Sequence, residues 1–157
     1  MKNLVIISLL LSCPILCAEW NIRTPQKDIP DTLEGTIFGK EFKLGSAEWD
    51  DVSLTISSKG KMGHWPESEL MLFIEKDAEQ KEWYITPDNS DFNSPHIHMK
   101  FGKEGADFPG TLMFTGEYSM YLKIIEKTKK NVKLQIHVSL PDYKKSTLLG
   151  TFTAKLK

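Results

Sequence analysis

Val132-Lys133-Leu134-Gln135-Ile136-His137-Val138-Ser139-Leu140 decides the fold. Every second residue is apolar, and Lys, Gln, His and Ser stand between them. Successive side chains of a strand point to opposite faces, so the run sets one face in a core and one in water. A helix would need apolar residues three and four apart instead. The stretch therefore reads as a half-buried antiparallel strand.

The same period extends in both directions. Leu148, Phe152, Ala154 and Leu156 face in, and Thr151, Thr153 and Lys155 face out. Tyr118, Met120, Leu122 and Ile124 form another inward set, and Ile97, Met99 and Phe101 alternate with His96, His98 and Lys100. Val52, Leu54 and Ile56 alternate with polar neighbours, and Ile37, Phe42 and Leu44 flank a Gly39-Lys40 hairpin turn. Trp83 to Thr86 is short and β-prone. Leu70 to Ile74 is apolar on both faces and suits a central strand. Asp77 to Glu82 is too short and too polar to hold a helix. About eight or nine strands in one chain predict an all-β antiparallel β-sandwich, with a β-barrel as the competing architecture.

The N-terminus reads differently. Lys2 precedes the apolar run Leu4 to Leu11, Pro14 breaks it, and Leu16-Cys17-Ala18 ends on a small residue. This is the pattern of a secretory signal peptide, too short to span a bilayer. The chain then divides into a signal at 1–18, an extended lead-in at 19–32 holding Pro25 and Pro30, and one β-sandwich domain at 33–157. It is expected to be exported, to the periplasm or outside the cell. Both cysteines, Cys13 and Cys17, fall within the signal, so a processed domain has no disulfide. Leu10-Leu11-Ser12-Cys13 gives a second processing route, a lipid anchor on Cys13, although Leu11 and Pro14 fit that signal poorly. The net charge of −1 gives no basic excess for nucleic acid, and no other long apolar stretch follows as a transmembrane segment.

Several short pieces resemble one group of proteins. They are Gly35-Thr36-Ile37-Phe38-Gly39 with Phe42, Ser94-Pro95-His96-Ile97-His98, Tyr118-Ser119-Met120 with Leu122, and Leu140-Pro141-Asp142 with Lys145-Ser146 and Gly150-Thr151-Phe152. Together they resemble exported β-sandwich proteins of planctomycete-like bacteria, a group without an established activity. The resemblance implies a single secreted all-β domain and transfers no catalytic residue. The last piece also has a local reading. Pro141 ends a strand, Asp142 accepts amide bonds from the next few residues, and Gly150 marks a bulge or a close backbone approach.

Three groups of residues carry chemistry. His96 and His98 lie two apart on one strand, roughly 6.6–6.8 Å between backbones, and so share a face. If His137 comes from a neighbouring strand, three imidazoles suit zinc or copper. Lys100 and Lys133 count against a cation there, and histidines are also ordinary on the wet face of a sheet. Next, His64 and Trp65 sit in a glycine-bearing loop before Pro66, where Trp65 is either a platform for a sugar or peptide, or a cap folded back on the core. Finally, Asp88 and Asp91 lie in an oxygen-rich loop that fits calcium or, more simply, a run of Asx turns. Trp49 and Trp83 read as core or as part of a carbohydrate-binding face.

No nucleophile elbow, metalloprotease helix motif or glycine-rich phosphate cradle occurs. The expectation is a non-catalytic binding or envelope-interaction domain whose partner is a glycan or an envelope protein, with no obligate cofactor. A metal-binding protein or metalloenzyme on the histidine face and a carbohydrate-binding module are the alternatives.

Overall fold

The computed structural model describes residues 20–91 and 93–157. The expected signal peptide at 1–18, with Cys13 and Cys17, lies outside the described residues. The fold is all-β, as the alternation predicts. The strands in chain order are β1 Glu34–Ile37, β2 Lys40–Glu41, β3 Leu44–Trp49, β4 Leu54–Ser58, β5 Lys61–Met62, β6 Trp65–Pro66 and β7 Ser68–Leu72. They continue as β8 Glu82–Ile85, β9 Ile97–Phe101, β10 Gly110–Phe114, β11 Ser119–Lys127, β12 Asn131–Ser139 and β13 Thr147–Leu156.

One curled sheet of half-barrel form runs β10-β9-β7-β4-β3-β13-β12-β11-β8, and β1 joins β13 and carries β2. A separate hairpin is made of β5 and β6. The sheet is mixed rather than purely antiparallel, because β13 meets β3 in parallel at Lys155–Glu48 and Leu156–Trp49. β13 is long enough to take β1 along its first half and β3 at its end.

The inward residues of this sheet form one core, with Leu54, Ile56, Leu70, Leu72, Ile97, Met99, Met120, Leu122, Leu134 and Ile136 fully buried. Two contacts between distant parts of the sheet hold the curl. Phe38, after β1, stacks on Phe101 of β9 with ring centroids 3.5 Å apart. The Tyr118 hydroxyl, before β11, donates to the carbonyl of Pro95, before β9.

Gly150 fills the role its place in β13 predicts. Its φ is +145°, and a Cβ there would run into the Thr32 carbonyl and Leu33, which cross directly above it. Asp142 closes the β12–β13 turn by accepting from the amides of Lys144 at 3.0 Å and Ser146 at 2.7 Å.

The lead-in departs from expectation. Rather than only preceding the sheet, it straps the outer face of β11, β12 and β13. The Trp20 indole donates to Leu140 O at 3.0 Å, Ser119 Oγ to Asn21 O at 2.7 Å, and Thr151 Oγ1 to Pro30 O at 2.8 Å. Leu149 and Tyr121, which flank His137 in register, are buried yet stand outside the main core. A second, smaller buried layer therefore lies beneath residues 20–30.

Leu70 to Ile74 also departs. β7 is central, between β4 and β9, but only its inner face is covered. Met71 is half-buried, and Phe73 is exposed on the outer side.

Candidate functional site

The hairpin of β5 and β6 builds one wall of a concave surface that carries aromatic side chains. Its two-residue turn is Gly63-His64, and Gly63 takes φ +60°. A glycine in the first central position is what a tight hairpin of this kind requires, because a Cβ is disfavoured there. The turn places Trp65 opposite Met62. The base of the hairpin is fixed to the sheet, since the amide of Glu67 donates to Gly60 O and that of Gly102 to Glu67 O, both at 2.8 Å. Lys40 Nζ pairs with the Glu67 carboxylate at 2.7 Å.

The loop after β9 faces this hairpin. Gly105 lets it turn, with φ +72°, and Phe108 is left 71% exposed. Trp65 is 40% exposed. The two rings border a hollow of about 510 Å³, to which His64, Met62 and Asp107 also contribute. The hollow therefore offers two aromatic surfaces with an imidazole and a carboxylate at its rim. His64 and Trp65 both border this hollow, and the Trp65 ring is partly covered and partly exposed. Sequence reasoning missed Phe108 and Asp107. Their signal was a large aromatic residue between Gly105 and Pro109, in a loop with no inward partner.

Asp88 and Asp91 lie in a loop closed by its own turn bonds. Asp91 accepts from the Asn93 amide at 2.9 Å and lies within 3.3 Å of the Ser94 hydroxyl. Asn89 takes the Thr86 amide at 2.6 Å and donates to Tyr84 O. These are local turn bonds that use the loop's own oxygens. Asp91 also borders a groove of about 340 Å³ beside β8, together with Phe73, Trp83 and Tyr84. The edge of β8 above that groove is partly blunted, because Gln80 donates to Glu82 O at 2.7 Å and Asn89 reaches Tyr84 O. Side chains that occupy the carbonyls of an edge strand discourage pairing with another chain.

The three histidines are not brought together. His96 and His98 are half-buried on or beside β9, while β12, with His137, is separated from β9 by β7, β4, β3 and β13. His137 is not on a wet face. It is fully buried under the lead-in, and its Nδ1 accepts the Gln26 amide at 2.7 Å. Among the described residues, no three His, Cys, Asp or Glu side chains are grouped to hold a metal ion. Trp49 and Trp83 are core residues, and the Trp49 indole donates to Ile74 O at 2.9 Å. Among the described residues, no helix is long and apolar enough to cross a membrane.

Fold and site thus define an all-β half-barrel with an aromatic hollow at its hairpin end. Compared with protein-family models, curated proteins and solved structures, the chain matches none.

Proposed function

We propose that the chain is an exported, non-catalytic binding domain that recognises a glycan at the hollow between Trp65 and Phe108. The observation that carries this reading is the exposure of both rings on facing loops of a rigid scaffold. Aromatic area of this size is usually buried, and loops on a fixed frame commonly bind. A sugar ring has an apolar face that packs on an aromatic ring and a rim of hydroxyls. His64 and Asp107 supply hydrogen-bonding groups for such a rim. The leader-like segment at 1–18 supports an address outside the cytoplasm, where envelope glycans occur.

The test is a fluorescence titration with soluble oligosaccharides, N-acetylhexosamine oligomers first. Trp49 and Trp83 are buried and Trp20 is held at the end of β12 by its bond to Leu140 O, so the emission change expected on binding comes from Trp65. Trp65→Ala and Phe108→Ala abolish it while the thermal midpoint moves little. A titration flat for every oligosaccharide, in a chain whose Trp65 is readily quenched by acrylamide, overturns the glycan reading.

A further inference from the structure

Away from that hollow, the outer face of the sheet carries a row that no histidine-based search would find. β9 lies between β7 and β10, and its register sets His98 directly opposite Met71 on one side and Met113 on the other. Directly opposed residues share a face. The inner face here is identified by Leu70, Leu72, Ile97 and Met99, all fully buried. Met71, His98 and Met113 therefore project outward, side by side on three adjacent strands. Phe73 joins them two residues beyond Met71, with its ring edge-on to the His98 imidazole at 4.7 Å between centroids.

We propose that Met71, His98 and Met113 bind one copper(I) ion, with Phe73 shielding one side. Cβ atoms of opposed residues stand about 4.5–5.5 Å apart, within reach of long side chains. Methionine has three rotatable bonds, so the two thioethers can bend over the central imidazole from either side. Two thioethers and one imidazole form a soft, neutral donor set. Such sets favour copper(I), whereas calcium and magnesium take oxygen ligands and zinc takes thiolate, imidazole and carboxylate. The positive charge of Lys100, next along the same face of β9, is met by Glu69, whose carboxylate lies 2.7 Å away. The nearest lysine on that strand is thus paired rather than aimed at the site. The exposure of Met113, at 68%, leaves an approach open from solvent.

The experiment is anaerobic competition for copper(I) between the purified chain and bicinchoninate, followed by X-ray absorption of the copper-loaded chain. One copper per chain is expected, with two sulfur neighbours and one nitrogen. Met71→Leu, Met113→Leu and His98→Gln each weaken binding by at least ~10-fold, since even groups one shell removed from a metal act on that scale. The leucine variants keep the apolar volume on an open face, and an unchanged thermal midpoint shows that they fold. The proposal is overturned if the chain leaves the copper with the competitor. It is equally overturned if the double leucine variant binds as well as the parent, or if the absorption spectrum shows nitrogen and oxygen neighbours only.

Discussion

The amide of Gln26 donates to Nδ1 of His137 at 2.7 Å, and this bond fixes the lead-in to the middle of β12. It requires Nδ1 to be unprotonated, which leaves Nε2 to face the Ser139 hydroxyl at 3.4 Å. His137→Phe keeps a ring of similar shape but removes the acceptor, stranding the Gln26 N–H under its strap. A buried donor left without a partner costs about 1–3 kcal/mol. The expected result is an unfolding free energy, from chemical denaturation, lowered by that amount. Amide exchange at residues 20–30 should rise more than exchange in β11 or β13. Uniform loss of protection along the chain would show that His137 acts through the core instead.

Gly150 and Thr32 set a second expectation. The φ of +145° and the Thr32 carbonyl above it leave no place for a side chain. Gly150→Ala meets both a disfavoured backbone conformation and a main-chain clash, and should destabilise by at least ~2 kcal/mol. Gly63→Ala is the control, because its Cβ meets open space and only the backbone cost remains. Paired thermal melts separate the two effects. Equal losses would mean that the Thr32 crossing moves aside.

The strands with strict alternation were legible because one rule governs them. β12, β13 and β9 fall where the period of two sets them, as do Leu54 and Ile56 of β4, whereas Val52, expected inward with them, lies before β4 and is exposed. β10 was not legible, as Thr111-Leu112-Met113-Phe114 is too short to display a period, and so Met113 went unnoticed beside His98. His137 was misread for a different reason. Its own strand says outward, and outward ordinarily means wet, but the lead-in folds back from more than a hundred residues away to cover that face. No local pattern records such a strap. For Trp65 the sequence favours a cap over a platform, because aromatic area of that size is usually buried. Its partial exposure beside Phe108 depends on two loops some forty residues apart, which no local pattern records.

Trp49 is the side chain that ties the β3–β4 region to the end of β7. It is fully buried, and its indole donates to Ile74 O at 2.9 Å. Trp49→Phe keeps an aromatic ring but loses volume and leaves the Ile74 carbonyl without this donor. The two effects together should cost about 3–5 kcal/mol, near the upper range for a core truncation. The check is urea denaturation with the slope held constant. A loss under about 1 kcal/mol would show that the site collapses around the smaller ring.

Tyr118 makes stability depend on pH at the alkaline end. Its hydroxyl donates to Pro95 O, and burial holds the phenol neutral well above its ordinary value of 10.0. Tyr121, also buried, is shifted in the same direction, first by burial and then by the nearby Glu82 carboxylate. A group whose folded-state value is raised binds its proton more tightly in the folded chain. Its contribution is therefore complete below the unfolded value and is lost as pH rises beyond it. Thermal midpoints should stay level up to about pH 10 and fall steeply above it. Tyr118→Phe loses one hydrogen bond, about 1 kcal/mol at neutral pH, but has no phenol to ionise. Its melting curve should therefore approach that of the parent as pH rises, and the gap should close above pH 10.0. A gap of constant size across the whole range would mean that the Tyr118 phenol is not what the alkaline transition senses.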